Sequence, residues 1–199
     1  SENGKNYFNR IQDAAYRMQT LIEDLLTYSR TNTAENVFQK TDLNEIIEEV
    51  RNDFREFLGE NKAIIEVIET CEANIIPFQF RQLITNLVSN SLKFIKQGTL
   101  PHIKISCKVT EGRQLAMPML SPEKKYCHLS ISDNGIGFDP QYKDRIFEVF
   151  QRLHGKGEYK GTGIGLAIVK KIVENHRGAI IAHGQEGLGA TFDIYFPVD

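Results

Sequence analysis

Two glycine-rich segments have the residue pattern that most clearly suggests chemistry. The first is Asp-Asn-Gly-Ile-Gly-Phe at 133–138, and the second is Gly-Thr-Gly-Ile-Gly-Leu-Ala-Ile at 161–168. Glycine lets bare backbone approach a ligand closely, and the N-terminus of a helix favours anionic groups such as phosphate. Because the second segment opens a predicted helix, the two together indicate a nucleotide site.

Neither segment is specific on its own. Asp-Asn-Gly after an alternating stretch is also typical of an ordinary β-turn. The second segment lacks the Lys-Ser/Thr ending of a P-loop. A loop precedes it, whereas a dinucleotide site requires a strand there. A further feature is needed to identify the class of site.

A predicted helix over 78–95 provides that feature. Its apolar residues recur at helical spacing and indicate a broad buried face. Asn86 and Asn90 lie four residues apart and Lys93 follows three residues later, so all three can project to one side. Asparagine is a middling helix former, and two solvated amides are the plain alternative.

Four segments together resemble the conserved boxes of sensor histidine kinases. Their order matches the N, G1, F and G2 boxes of that family, at 86–94, 133–138, 146–153 and 161–168. The resemblance covers about residues 40–199 and implies the ATPase superfamily shared with DNA gyrase. Residues 1–30 resemble the second helix of the family's dimerisation unit.

The resemblance and the periodicity predict an α+β fold, a two-layer sandwich of helices on a mixed β-sheet preceded by one long helix. The expected division is a stem helix at 1–30, a linker at 31–41 and an ATP-binding catalytic domain at 42–199. Helices are predicted at 7–30, 43–58, 78–95 and 164–176, with a short one beginning at Pro140. Strands are predicted at 63–68, 74–76, 102–109, 126–132, 179–183 and 191–196.

Three polar side chains have roles that follow from their chemistry within the resemblance. The Asp133 carboxylate can accept the exocyclic amine of adenine, whereas guanine presents an oxygen there. Asn90 offers an uncharged oxygen to Mg²⁺ held mainly by its nucleotide, and Lys93 can meet phosphate charge. Without the resemblance, Asp133 reads as a turn residue and Lys93 as a solvated lysine.

Asn86 stands where gyrase-type relatives carry a glutamate that activates water. An amide cannot take a proton, so hydrolysis is expected to be slow and the γ-phosphoryl group to stay available for an imidazole nucleophile. The expected catalytic set is Asn86, Asn90 and Lys93.

The expected nucleotide contacts extend over both glycine segments and the region between them. Residues 151–160 carry two glycines and three cations, the composition of a mobile lid over phosphates. Phe147 and Phe150 are interpreted as its hinge or, equally, as core aromatics. Besides Asn90, Lys93 and Asp133, the expected contacts are Phe94, Gly135, Gly137, Phe150, Lys160, Gly161, Thr162, Gly163, Gly165, Leu166 and Thr191.

Composition limits the remaining classes of function. The chain has 199 residues, 41% of them hydrophobic, and a net charge of −2, so nucleic acid is not expected as a partner. Cys71, Cys107 and Cys127 lack CxxC spacing, which argues against a metal site or a disulfide framework. With no apolar run of about 20 residues, a cytoplasmic location is expected, with membrane attachment only through regions outside this sequence.

The predicted stem helix has an apolar stripe from Phe8 to Tyr28 at three- and four-residue steps. We expect the stripe to seek a partner helix and form a homodimer through a helical hairpin; the alternative is that it folds back on its own catalytic domain. None of the five histidines has the context of a phospho-acceptor, which is therefore expected on a helix before residue 1.

The function expected from the resemblance is that of a protein-histidine kinase. It would use ATP and Mg²⁺, transfer the γ-phosphoryl group to that histidine, and supply a response regulator receiver domain. Two alternatives stay open: a nucleotide-binding but catalytically silent module, and a protein-serine kinase of the same superfamily.

Overall fold

A computed structural model of the protein describes residues 2–33, 37–115, 117–153 and 161–198. Helices lie on a mixed β-sheet and a long helix precedes them, which confirms the predicted α+β class. The helices are α1 Glu2–Thr33, α2 Leu43–Asp53, α3 Arg55–Asn61, α4 Pro77–Lys93 and α5 Gly165–Asn175. The strands are β1 Gln39–Asp42, β2 Ile64–Glu69, β3 Glu72–Ile75, β4 His102–Glu111, β5 Lys125–Asp133, β6 Ala179–Gln185 and β7 Gly189–Pro197.

The main sheet has five strands in the order β2-β4-β5-β7-β6. The β2–β4 pair is parallel and the other three pairs are antiparallel. Strands β1 and β3 form a separate antiparallel pair. The register pairs Ile103 with Asp133 and Ser132 with Thr191, so the end of β5 lies between β4 and β7.

The core lies between this sheet and the helices. On α4, Leu83, Ile84, Leu87 and Val88 are fully buried, as the predicted broad apolar face requires. Each such side chain contributes about 1.5–3 kcal/mol when it leaves water. The burial of α4 fixes the polar residues on its remaining side relative to the sheet.

The segment predicted as one helix over 43–58 forms two helices instead. Asp42 caps α2, since its side chain accepts a hydrogen bond from the Asn44 N–H. At Phe54 the backbone leaves helical geometry, with φ −94° and ψ 6°, and α3 then runs to Asn61. Phe54 packs against the core, so tertiary packing interrupts a locally helical sequence.

Helix α1 extends beyond the predicted 7–30, and β1 begins within the stretch predicted as a linker at 31–41. Most of the apolar stripe is exposed: Phe8 and Ile11 are 67% and 68% accessible. Leu21 and Tyr28 nevertheless pack against the core. Within the described ranges, no helix combines the length and apolar character needed to cross a membrane.

The side chains of the three cysteines lie close together, and two of them are bonded. The prediction that the chain has no disulfide was therefore wrong. Cys71 and Cys107 form a disulfide, and the Cys127 Sγ lies 2.7 Å from the Cys71 Sγ. Burial raises the pKa of the Cys127 thiol to about 12. Their spacing along the chain gives no sign of this, because the register of β4 on β5 and the β2–β3 connection create the proximity.

Candidate functional site

A cavity of about 360 Å³ lies where α4, the end of β5 and the start of α5 converge. This volume is within the range of small-molecule sites. The cavity is lined by Thr20, Asp24, Asn86, Ser89, Asn90, Lys93, Phe94, Asp133, Gly137, Phe138, Ile146, Gln151, Arg152, Leu153, Gly161, Thr162, Gly163, Gly165, Leu166, Ala190 and Phe192.

Asp133 is held in one orientation at the end of β5. Its Oδ1 accepts hydrogen bonds from the Gly135 N–H at 2.9 Å and the Ala190 N–H at 3.2 Å. Its Oδ2 accepts from the Ser91 hydroxyl at 3.0 Å. Burial raises the pKa of Asp133, and these three donors oppose that rise. The carboxylate is therefore a preorganised acceptor facing a partly apolar cavity.

Asn86 joins α4 to the start of α5. Its Nδ2 donates to the Gly165 carbonyl at 3.2 Å, and its Oδ1 accepts from Gln82 Nε2 at 3.2 Å. A carboxylate could not donate to the Gly165 carbonyl. The amide thus positions the N-terminus of α5, and it is not a base.

Asn90 and Lys93 follow on the same side of α4 and both line the cavity. The Asn90 side chain makes no hydrogen bond to another residue of the described part of the chain. Lys93 Nζ lies 4.6 Å from the centre of the Phe94 ring. Burial and, second, the nearby Arg152 lower the pKa of Lys93. Lys93 and Arg152 therefore both bring positive charge to the lining of the cavity.

The glycine-rich segment before α5 forms a tight turn against the region that follows β5. Gly163 has φ +78°, and its carbonyl accepts from the Phe150 N–H at 3.0 Å. A Cβ at Gly163 would lie 2.8 Å from the Gln151 carbonyl oxygen, so no larger residue fits. The Thr162 hydroxyl donates to the Asp24 carboxylate, which brings α1 to the cavity.

The structure brings eleven of the predicted site residues together around the cavity: Asn86, Asn90, Lys93, Phe94, Asp133, Gly137, Gly161, Thr162, Gly163, Gly165 and Leu166. Gly135, Phe150 and Thr191 are not among the lining residues. Lys160, like all of 154–160 in the predicted lid, lies outside the described residues.

The three predicted residues outside the lining have other surroundings. The Gly135 N–H donates to Asp133, and Thr191 pairs with Ser132 in the sheet. Phe150 is 62% exposed. Phe147 is buried and makes an edge contact with Phe192 at 6.4 Å, which suits the core-aromatic alternative.

Sequence reasoning missed four polar contributors to the site. Thr20 and Asp24 come from α1, while Ser91 and the Ala190 N–H orient Asp133. Ser91 lies in α4 between Asn90 and Lys93, so its position in the helix could have predicted that it lies near the site. Nothing in the sequence of α1 distinguishes Asp24 from a solvated carboxylate.

Comparison with known proteins gives a consistent assignment. The family model for histidine kinase-, DNA gyrase B-, and HSP90-like ATPases matches residues 76–199. Cyanobacterial phytochrome A of Nostoc sp. (strain PCC 7120 / SAG 25.82 / UTEX 2576) is 41% identical over 183 residues, which is 91% of this chain and 22% of that protein. This chain therefore spans only about a fifth of the length of that relative.

Two solved structures share the fold. Full-length ShkA in complex with AMPPNP has a TM-score of 0.71 at 22% identity and covers 98% of this chain and 39% of its own. Histidine kinase ThkA in complex with response regulator protein TrrA has a TM-score of 0.66 at 25% identity and covers 98% of this chain and 51% of its own. The family model spans more than half of the chain and includes α4, the end of β5 and α5. The protein therefore belongs to the histidine kinase-, DNA gyrase B-, and HSP90-like ATPases, as the ATPase core of a sensor histidine kinase.

Proposed function

We propose that the cavity binds Mg-ATP and that the protein transfers the γ-phosphoryl group to a histidine on a separate acceptor helix. The observation that carries this proposal is the oriented Asp133 carboxylate, which lines the same cavity as Asn90, Lys93 and the start of α5. One cavity thus contains a carboxylate that would suit the adenine amine and a lysine that would suit phosphate, which supports the proposal.

Asp133 selects the base. The carboxylate accepts a hydrogen bond from the exocyclic amine of adenine, and the carbonyl oxygen of guanine at the same place would be repelled. The three donors to Asp133 keep the carboxylate from turning away, so little ordering cost remains on binding.

Lys93 and the N-terminus of α5 would meet the phosphates, and Asn90 would hold Mg²⁺. The Asn90 amide oxygen is a hard donor suited to Mg²⁺, which takes most of its ligands from phosphate and water. When bound, Mg²⁺ supplies charge neutralisation of the transferring phosphoryl group. Lys93 lies partly buried and close to Arg152, so an incoming phosphate relieves repulsion between two cations.

The reaction moves the phosphoryl group from one nucleophile to another. The bond between the γ-phosphorus and the β,γ-bridging oxygen breaks, a bond between an imidazole nitrogen and phosphorus forms, and ADP leaves. Asn86 cannot remove a proton from water and instead donates to the Gly165 carbonyl. Transfer to an imidazole, which needs no general base at this position, is thereby favoured over hydrolysis.

The proposal places the acceptor histidine on a helix outside the described part of the chain. His102, His128, His176 and His183, the histidines of the described ranges, do not line the cavity. His176 is buried, and its Nε2 accepts from the Ile76 N–H. A helix pairing with the exposed stripe of α1 would bring an acceptor close and favour a homodimer, and the phosphoryl group would pass to a response regulator receiver domain.

The test supplies the acceptor as a separate two-helix fragment bearing a histidine followed by Glu or Asp. With γ-labelled Mg-ATP, we expect acid-labile, base-stable label on that fragment. Asn90→Ala should lower the initial rate by at least about 100-fold, the scale expected for losing a transition-state contact. Asn52→Ala, which removes an exposed amide of α2, is the matched control and should not change the rate.

Two other results would contradict this proposal. Tight ATP binding with no label on any acceptor fragment would identify a catalytically silent nucleotide-binding module. Acid-stable label would identify transfer to a hydroxyl, as in a protein-serine kinase.

A further inference from the structure

A second group of reactive side chains lies apart from the cavity. The sulfur atoms of Cys71, Cys107 and Cys127 all lie within 4.8 Å of one another, and none of the three residues lines the nucleotide cavity. The three come from the connection between β2 and β3, from β4 and from β5. Three segments distant in sequence therefore converge on one point of the sheet.

The register explains why this convergence is stable. Cys107 pairs with Leu129 and Val109 pairs with Cys127, so Cys107 and Cys127 are diagonal neighbours on the same face of the sheet. Strand β2 lies on the other side of β4, and Cys71 follows it by two residues. The Cys71 carbonyl accepts from the Leu43 N–H, which ties the connection to the start of α2.

The separations suit a common ion. Zinc–sulfur bonds are about 2.3 Å long, so two sulfurs on one ion lie at most about 4.6 Å apart and about 3.8 Å apart in tetrahedral geometry. The three sulfurs are already within 4.8 Å of one another, and side-chain rotations would be enough to reach that arrangement. Strand positions hold the Cβ atoms of Cys107 and Cys127, so the ligand set is preorganised.

The donor chemistry selects the class of ion. The group contains only sulfur, and no imidazole or carboxylate of the described residues joins it. Soft thiolates favour thiophilic cations such as Zn²⁺ and Cu⁺ over Mg²⁺ or Ca²⁺. Cys107 and Cys127 are fully buried, and a buried thiolate needs a compensating charge. Three thiolates carry three negative charges, so a divalent cation leaves less buried charge than a monovalent one.

We propose that the reduced cysteines Cys71, Cys107 and Cys127 form a binding site for one thiophilic d¹⁰ cation, with Zn²⁺ preferred over Cu⁺ by charge. The Cys71–Cys107 disulfide must first take up two electrons and two protons, which a dithiol reductant supplies. Each thiol then releases its proton as its sulfur binds the ion. Cys71 is only partly buried, so its side is the entry path and the place for a water as fourth ligand.

The experiment titrates the dithiothreitol-reduced, desalted chain with Zn²⁺ against a chromophoric zinc chelator, and in parallel with Cu⁺ against a Cu⁺ chelator. Native mass spectrometry counts the bound ions. We expect one Zn²⁺ per chain, release of about three protons, one from each thiol, and a higher melting temperature with zinc. Cys71→Ser should weaken zinc binding at least 100-fold and remove the thermal shift.

The controls separate ligand loss from damage to the fold. Thr70→Ala changes the residue next to Cys71 without removing a sulfur and should bind zinc as the unmodified chain does. Cys127→Ser tests a second ligand, and circular dichroism checks that each variant is folded. Should Cys127→Ser unfold, the partly exposed Cys71 position still decides the question.

Three results would overturn the proposal. The first is a Cys71–Cys107 disulfide that persists in excess dithiothreitol. The second is zinc binding that Cys71→Ser leaves unchanged. The third is binding of Cu⁺ with no binding of Zn²⁺, which would show that the charge argument is wrong.

Discussion

The Thr162 hydroxyl donates a hydrogen bond to the Asp24 carboxylate across 138 residues of sequence. Thr162 belongs to the glycine-rich segment that opens α5, and Asp24 lies on α1 between Leu21 and Tyr28, which pack against the core. The same Thr162 oxygen accepts from the Ile164 N–H at 3.4 Å. The stem helix thus places a negative charge at the wall of the proposed phosphate region.

Asp24→Asn removes that charge and should tighten ATP binding several-fold, because the carboxylate repels the incoming phosphates. Adenosine, which carries no phosphate, should bind equally to both forms. Calorimetric titration of both ligands measures the difference. Glu23→Gln makes the same charge change on an exposed neighbour and is the matched control. Weaker ATP binding by Asp24→Asn would show that the carboxylate supports the site.

Gly163→Ala should damage both stability and nucleotide binding. Gly98 offers a matched control, since its φ is +79° against +78° at Gly163, yet a Cβ at Gly98 would meet nothing within 4 Å. Gly98→Ala should cost about 1 kcal/mol from the left-handed backbone alone. Gly163→Ala should cost about 1–3 kcal/mol more because the Gln151 carbonyl blocks the methyl group. Urea unfolding measures the free energy of unfolding of the two variants. Equal losses of that free energy in Gly163→Ala and Gly98→Ala would contradict this explanation.

Acid should destabilise the fold through His176. The ring is buried, Nδ1 donates to the Ile172 carbonyl at 2.7 Å and Nε2 accepts from the Ile76 N–H at 3.0 Å, so the neutral form is required. Burial lowers the pKa of His176 below its ordinary value. The unfolded chain therefore takes up the proton first, and stability present above pH ~6.5 is lost as the pH falls below it.

The loss should reach at most about 1.4 kcal/mol per pH unit for this one group. The measurement is the free energy of unfolding from pH 7.5 to 5. His176→Gln should reduce the dependence of the free energy of unfolding on pH while lowering the stability at every pH. His183→Gln changes an exposed ring and should leave that pH dependence unchanged. An unchanged slope in His176→Gln would rule out this histidine as the source.

Local patterns predicted most of the helices and strands, but neither strand β1 nor the break between α2 and α3. The apolar spacing of α4 gave its bounds to within two residues, and alternation located β4, β5 and β7. The break at Phe54 was missed, because a core contact outweighs the helical propensity of the surrounding residues.

For the site, short-range motifs predicted many of the residues that line the cavity, whereas the residues that reach it through long-range contacts were not predicted. Helical spacing predicted that Asn90 and Lys93 share one side of α4, whereas the roles expected of them and of Asp133 came from the family resemblance. Asp24 and the group of three cysteines depend on how separate elements dock. No spacing along the chain encodes that docking.

Ser91 should control the pH at which the nucleotide site fails. Its hydroxyl donates to Asp133 Oδ2 and so opposes the rise of the Asp133 pKa that burial causes. Ser91→Ala removes that donor, so the pKa rises further. The carboxylate then takes up its proton at a higher pH. As the pH is lowered, the ATP affinity of Ser91→Ala should therefore fall at a higher pH than that of the unmodified protein.

The measurement is the dissociation constant of ATP between pH 8 and 5 for both forms, so that titration of the ligand itself cancels. Ser132→Ala, next to Asp133 in β5 but outside the cavity lining, should follow the unmodified protein. Coincident pH profiles for Ser91→Ala and the unmodified protein would count against Asp133 as the titrating acceptor.

The role of Asp133 in nucleotide binding is tested most directly by a calorimetric titration of Asp133→Asn with ATP. The amide of Asn can place its NH₂ group against the adenine amine, so that two donors face each other. Loss of the ionised acceptor should reduce the free energy of ATP binding by on the order of 2–4 kcal/mol, which is roughly a 30- to 1,000-fold weaker affinity. Asp139→Asn makes the same chemical change at a residue that does not line the cavity and should retain full affinity. We expect ATP affinity to fall by this factor in Asp133→Asn and not in Asp139→Asn, and GTP to bind poorly to the unmodified protein. Unchanged ATP affinity in Asp133→Asn would contradict the role of Asp133 as the adenine acceptor.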